Sequence, residues 1–230
     1  MKITLFVPTM NEIEGVRAIM PRVKREWVDE ILVVDGWSKD GTKEYMESHG
    51  YRVLTQEKKG VLNAWWQGLE AAEGDVIIPF SPDGNSVPEL IPQLIEKMKE
   101  GYDIVIASRY AEGAKNEDDG FVTGFGNAFF TGLINLLFRT HYTDALGMYK
   151  AFKKELLYSL KLNEHKEEIL EILIAIRAAK KGLKVAEIPG DEPERIGNKE
   201  SRAWPGLWGK IRGGSLILRA IFKEFIWYKF

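Results

Sequence analysis

The chain has 230 residues, 45% of them hydrophobic, a formal net charge of −2 and no cysteine. That length holds one large domain, or a domain with an appendage. The near-neutral balance gives no overall pull toward nucleic acid, and the missing thiols exclude disulfides and thiolate metal sites.

Residues 1–8, MKITLFVP, read as a first strand rather than a secretory signal. Uninterrupted apolar runs fall short of the roughly 18–20 residues that span a bilayer. From there the chain alternates in type. Segments 3–8, 30–35, 51–56, 75–81 and 103–109 are short, rich in Val and Ile and mostly without polar alternation. Such runs suit strands covered on both faces. Helical patterns fall at 13–25, 40–49, 60–72 and 88–100, the last entered through Pro88 and Glu89 with Ser86 as N-cap. Repeated strand–helix–strand units predict an α/β fold with right-handed crossovers and a mostly parallel sheet, helices on both faces.

Ligands of such sheets bind beyond the carboxyl ends of the strands. The residues there are Pro8 to Glu12, Asp35 to Ser38, Ser81 to Ser86, and Ser108 to Tyr110. Three of these groups carry a carboxylate and the fourth an arginine. No G-x-G-x-x-G follows the first strand and no G-x-x-x-x-G-K-[ST] occurs, so phosphates would be held by a metal and arginines, not by a glycine cradle.

The ordered set VPTMNE (7–12), VVDGWSKDGT (33–42), SPDGNSVPE (81–89) and ASRY (107–110) resembles the family-2 inverting glycosyltransferases of the GT-A fold. The polyprenyl-phosphate (dolichyl-phosphate) sugar transferases are the nearest branch. The match runs on through TDALGMYKAF, EILIAIRAAKKGLKVAEIP and RIGNK, to about residue 200.

The resemblance implies transfer of a hexose, with inversion, from a GDP- or UDP-linked sugar to a polyprenyl phosphate or a growing surface glycan. It implies that Pro8, Thr9, Asn11 and Glu12 line the nucleotide pocket and that Asp35 binds base or ribose, with Gly36 where a second Asp is common. Gly60 and Asn63 fall in the stretch beside the base. The family's D-x-D element reads here as Ser81, Asp83 and Asn85, so Asp83 with the Asn85 amide oxygen would hold Mg²⁺ or Mn²⁺. Asp144 is the carboxylate expected near the acceptor. Arg109, Arg195 and Lys199 are the expected phosphate cations, although the last lysine comes one position early in the family pattern. Glu171 matches a family carboxylate and equally suits an i,i+4 helix pair. A sugar nucleotidyltransferase and a nucleotide- or lipid-binding pseudoenzyme are the alternative classes.

Two segments complete the reading. Residues 121–139 are apolar, aromatic and glycine-rich, most simply a core helix and otherwise a wall of an acceptor groove. Residues 1–203 are expected to form the GT-A domain and 204–230 an amphipathic helix. That helix has Arg219 and Lys223 on one face and Leu218, Ile221, Phe222, Phe225 and Ile226 on another. It would lie on a membrane surface, or pack on the domain or across a homodimer. The expected location is the cytoplasm, either free or peripheral on the inner membrane face.

Overall fold

The computed structural model describes residues 1–164, 169–197 and 206–227; Lys199, expected to bind the acceptor, lies outside them. Seven strands form one sheet in the order β3-β2-β1-β4-β6-β5-β7. They are β1 Ile3–Thr9, β2 Glu30–Asp35, β3 Arg52–Thr55, β4 Val76–Pro79, β5 Ile104–Ser108, β6 Lys150–Lys153 and β7 Val185–Pro189. All pairings are parallel except those of β6, which runs antiparallel between β4 and β5. The mostly parallel sheet expected from the alternation is therefore present, with one reversed strand that the pattern does not announce. β6 reads Lys-Ala-Phe-Lys, four residues with charged ends, and lacks the Val/Ile run of its neighbours.

The helices are α1 Ile13–Ile19, α2 Thr42–Ser48, α3 Val61–Ala71, α4 Ile91–Lys99, α5 Phe121–Phe138, α6 Leu156–Ser159, α7 Leu170–Lys180 and α8 Gly206–Ile226. The helical pattern over 13–25 ends early, at Ile19, where Pro21 has no N–H to continue the ladder and a 3₁₀ turn follows. Ser86 does not cap the next helix. Its hydroxyl accepts from the Ser81 backbone N–H (3.2 Å), closing the loop after β4 on itself, and Val87 precedes the helical turn instead.

Alternate strand residues feed two apolar cores. Val33, Ile78 and Val105 pack with Val16, Met46 and Leu94 on one face. Phe6, Ile77 and Ile106 pack with Trp65, Leu173 and Ile176 on the other, and that core extends to Ala220 and Ile221 of α8. The C-terminal helix thus shares the domain's core through part of its surface. It is held there by a buried ion pair: Arg177 of α7 donates to Glu224 from Nε (2.9 Å) and Nη2 (2.7 Å).

α5 corrects the expectation of a core helix. Its buried residues are Asn127, Thr131 and Ile134, while Phe121, Phe125 and Leu136 are 89%, 67% and 76% exposed. Its first half is inside-out, with Asn127 toward the protein and Phe121 and Phe125 toward solvent, whereas Phe130, Leu133, Ile134 and Phe138 further along pack against the core. By length and composition alone its 18 residues are apolar enough to cross a membrane.

Candidate active site

The carboxyl ends of β1, β4 and β5 and the segment after β7 surround a cleft of about 800 Å³. Among the expected residues it is lined by Pro8, Thr9, Asn11, Glu12, Gly60, Asp83, Asn85, Arg109 and Arg195. Ser81 and Gly36 line it too. Asp35, Asn63 and Asp144 do not. Asp35 is fully buried at the end of β2; one oxygen accepts from the Ser38 N–H (3.0 Å) and the other has no partner among the described residues. Asn63 turns its amide to the Lys59 carbonyl (2.6 Å) and shapes the start of α3. Glu171 sits on α7, where its backbone carbonyl receives the fully buried Lys150 ammonium at 3.3 Å.

The end of the cleft beside β1 and β2 is built by loops that bond to each other. Asn11, at a positive φ of 52°, donates its N–H to Ser38 Oγ (2.8 Å) and accepts from Lys39 N–H at Oδ1 (2.7 Å). Trp37 opposite also has a positive φ, 60°. Two non-glycine residues in this region, in loops bonded to each other, mark a local conformation that the surrounding structure enforces. Glu12 is tied by its N–H to Thr42 Oγ1 (2.9 Å).

The loop after β4 is pressed close to α1. A Cβ on Gly15 would lie 2.5 Å from the Pro82 carbonyl oxygen, so only glycine lets the helix approach. Gly84, at φ 101°, turns the chain between Asp83 and Asn85. The Asn85 N–H donates to Asp83 Oδ1 (3.2 Å), the Asn85 amide N–H₂ donates to the Pro193 carbonyl (2.9 Å), and the Asn85 amide oxygen is buried without a partner among the described residues. One carboxylate and one orphaned amide oxygen at a cleft fit a hard divalent ion, which takes few protein oxygens and fills its shell with phosphate and water. Among the described residues no group of three or more His, Cys, Asp or Glu is arranged to hold a metal, so any ion here depends on a ligand to complete its shell.

Arg109, just past β5, is the charge hub. It donates to Asp144 from Nε (2.7 Å) and Nη2 (3.0 Å), and its Nη1 lies 3.4 Å from Asp119 and 3.3 Å from Glu192. Asp144 also accepts from Asn127 of α5 (2.8 Å). Burial pushes the Asp144 carboxyl up, but the Arg109 hydrogen bond and charge outweigh it and hold the group below its ordinary value. Asp144 is fully buried, paired and outside the cleft wall, so its surroundings are those of a residue that orients Arg109, not of an exposed proton acceptor.

Glu192 was not a candidate from sequence. It lines the cleft, and burial together with the nearby Asp119 pushes its carboxyl up to about 7 against the pull of Arg109. The signal was present: Gly190-Asp191-Glu192 directly follows β7, the same strand-end position that singled out the other groups. Arg195 comes from the same segment, which crosses the cleft and is stitched to the loop after β4 by the Ile196 N–H donating to the Asp83 carbonyl (2.7 Å).

The family model described as Glycosyl transferase family 2 matches residues 4–160. The chain is 34% identical over 200 residues to the dolichol-phosphate mannosyltransferase of Pyrococcus furiosus, covering 82% of this chain but 56% of that protein. It is 28% identical over 211 residues to the dolichyl-phosphate hexose transferase of Haloferax volcanii, covering 91% and 90%. Glucosyl-3-phosphoglycerate synthase of Mycobacterium tuberculosis, solved with Mn²⁺, UDP and glucosyl-3-phosphoglycerate, superposes with a TM-score of 0.67 at 23% identity, covering 97% of this chain and 79% of that one. At that identity the likeness concerns the GT-A fold alone.

Proposed function

The chain belongs to glycosyl transferase family 2, and we propose that it moves a hexose, with inversion, from a nucleoside diphosphate to a polyprenyl phosphate held at a membrane surface. The observation that most supports the reading is one cleft that gathers Asp83, Asn85, Arg109 and Arg195 where a diphosphate would leave. The names of the Pyrococcus and Haloferax relatives, which act on dolichol phosphate, support the acceptor class.

In this reading an oxygen of the acceptor phosphate attacks the anomeric carbon as the bond from that carbon to the nucleoside diphosphate breaks. The acceptor oxygen is already anionic, so no base is required, which suits an Asp144 that is committed to Arg109. Mg²⁺ or Mn²⁺ at Asp83 and Asn85 would supply charge neutralisation of the leaving diphosphate. Arg109, oriented by Asp144 and Asn127, lines the cleft with its guanidinium donors held in place, and such preorganised donors favour the transition state over the bound substrate. Pro8, Thr9, Asn11, Glu12 and Gly60 line the nucleotide end.

The lipid side of the reading draws support from α5 and α8. The inside-out first half of α5 carries Asn127 on the Arg109–Asp144 cluster and exposes Phe121, Phe125 and Phe129 outward. Packed beside it, α8 exposes Trp208, Phe222, Phe225 and Trp227 together with Lys210, Arg212 and Lys223. Exposed aromatics with interleaved cations suit an anionic lipid interface, and a chain lying there would be peripheral on the cytoplasmic leaflet.

Calorimetry with GDP, UDP and their hexoses, with and without Mn²⁺, tests the donor side. Metal-dependent binding that Asp83→Asn removes is expected. Equal diphosphate affinity in wild type and variant would overturn the metal role.

A further inference from the structure

Asp83 is not alone in the cleft: the cation that faces it is Arg195. The Arg195 Nε is 3.9 Å from Asp83 Oδ2 and 3.2 Å from Asp118 Oδ2. The two terminal nitrogens of the same guanidinium make no hydrogen bond among the described residues, and the side chain lines the cleft. The backbone on either side of Arg195 is fastened to the metal-candidate loop, through the Asn85 amide donating to the Pro193 carbonyl (2.9 Å) and the Ile196 N–H donating to the Asp83 carbonyl (2.7 Å). The chain is thereby fixed while the side chain, engaged only through Nε, remains able to swing.

We infer that Arg195 is the internal counter-ion of Asp83, giving up that carboxylate when a divalent cation takes it and turning its guanidinium onto the diphosphate. This rests on the metal-assisted reading above and adds a coupling to it. A divalent ion bonded to a carboxylate oxygen sits about 2.0–2.1 Å from it. A guanidinium less than about 4 Å from the same oxygen would then face a double positive charge at close range, so the two compete for Asp83. The displaced guanidinium carries two free N–H₂ groups into a cleft where a pyrophosphate would arrive, and Arg is suited to bidentate phosphate contacts. Asp118, the nearer partner of Nε at 3.2 Å, retains the side chain at the cleft once Nε moves off Asp83. Arg195 is in this sense a positioning residue for the loop in one state and a phosphate ligand in the other. The exchange links occupancy of the cation site to readiness of the phosphate site within one side chain.

The test is Mn²⁺ affinity of the full chain, by calorimetry and by the electron-paramagnetic signal of free Mn²⁺, without nucleotide and again with GDP or UDP. Arg195→Gln removes the competing charge, so Mn²⁺ alone is expected to bind about five-fold tighter than to wild type. In the same variant, diphosphate binding in the presence of Mn²⁺ is expected to weaken about ten-fold, because a phosphate contact is lost. Arg195→Lys keeps the charge and is expected to leave affinity for Mn²⁺ alone near the wild-type value. A merely structural role for Arg195 would move both affinities in the same direction; opposite signs are the signature of exchange. Equal or weaker Mn²⁺ binding by Arg195→Gln, in a variant that melts like wild type, overturns the inference while leaving metal use intact. Wild type that binds no Mn²⁺ in either condition overturns the metal reading, and the exchange with it.

Discussion

Two arginines divide the work of this molecule, Arg177 buried and Arg109 half-buried at the cleft, and their surroundings differ. Arg177 donates to Glu224 and to the carbonyls of Leu160 and Lys161, and Lys180 supports the same carboxylate at 3.1 Å. Arg109 makes a bidentate pair with Asp144 but must also serve Asp119 and Glu192 at 3.3–3.4 Å, three carboxylates around one guanidinium. The first cluster is buried, sets two cations on the Glu224 carboxylate among the described residues, and lies outside the cleft lining. The second sets three carboxylates on one guanidinium and opens on the cleft, where burial, with Asp119 nearby, pushes the Glu192 carboxyl up to about 7. A cation-rich buried cluster fixes a helix; a carboxylate-rich one at a cleft awaits further positive charge or a proton. Perturbed groups of the second kind tend to sit at functional sites.

The comparison is broken most severely by lysine at each position. Arg109→Lys leaves a positive charge on Asp144 but cannot span it and still reach the cleft. Transfer activity is expected to fall about 10²–10³-fold, the usual cost of losing a preorganised charge at the reacting centre, with a modest change in Tm. Arg177→Lys should do the reverse, lowering Tm while leaving turnover at permissive temperature near wild type. Activity loss in both variants, or in neither, would erase the division.

Breaking the latch outright comes next. Glu224→Ala removes the carboxylate that Arg177, 4% exposed, meets among the described residues, and removal of one partner of a buried pair costs about 3–5 kcal/mol. Urea unfolding should show that loss. The double replacement Arg177→Met with Glu224→Leu should recover most of it, since an apolar pair of similar volume removes both desolvation costs. A double variant as weak as the single would mean that the pair itself, not its desolvation, holds α8.

Glu192 sharpens the other side of the comparison. Its raised carboxyl is neutral below about pH 7 and ionises as pH rises through that value. Ionisation adds a negative charge beside the cleft and tightens its claim on Arg109. Diphosphate binding is therefore expected to weaken a few-fold from about pH 6 to pH 8 beyond the nucleotide's own titration. Glu192→Gln should flatten that extra dependence. An unchanged profile in the variant would assign the whole effect to the nucleotide.

The smallest expected effect is on the membrane side. Each cation near an anionic leaflet contributes about 1 kcal/mol, so Lys223→Ala should reduce flotation with anionic liposomes about five-fold and make it less sensitive to salt. Phe125→Glu, on the outward face of α5, should reduce it at any salt concentration. Flotation indifferent to both substitutions would assign this face to another partner.

Legibility in the sequence follows the same divide. The half built from β1 to β4 is plain because continuous apolar runs end in polar residues at the cleft: Pro8 to Glu12, and Ser81, Asp83 and Asn85, stand out by position and line it. The second half hides its logic. β6 is too short and too charged at its ends to read as a buried strand. The pattern of α5 is visible, but hydrophobicity does not say which way a face points; that was decided by Asn127 and Thr131 turning inward to Asp144 and Ala145. Arg109 and Asp119 from the connection between β5 and α5, Asp144 before β6 and Glu192 after β7 come from three separate segments, so their crowding is a property of topology and of no single motif.

The most direct test of the account is transfer itself. Purified full chain is incubated with Mn²⁺, a short-chain polyprenyl phosphate in anionic liposomes and hexose-labelled GDP- or UDP-sugar, and label is counted after organic extraction. The account predicts label in the organic phase for one of the two donors, lost without the divalent ion and abolished in Asp83→Asn. Label that stays aqueous with every donor while the nucleotides still bind, or transfer that Asp83→Asn leaves unchanged, would contradict it.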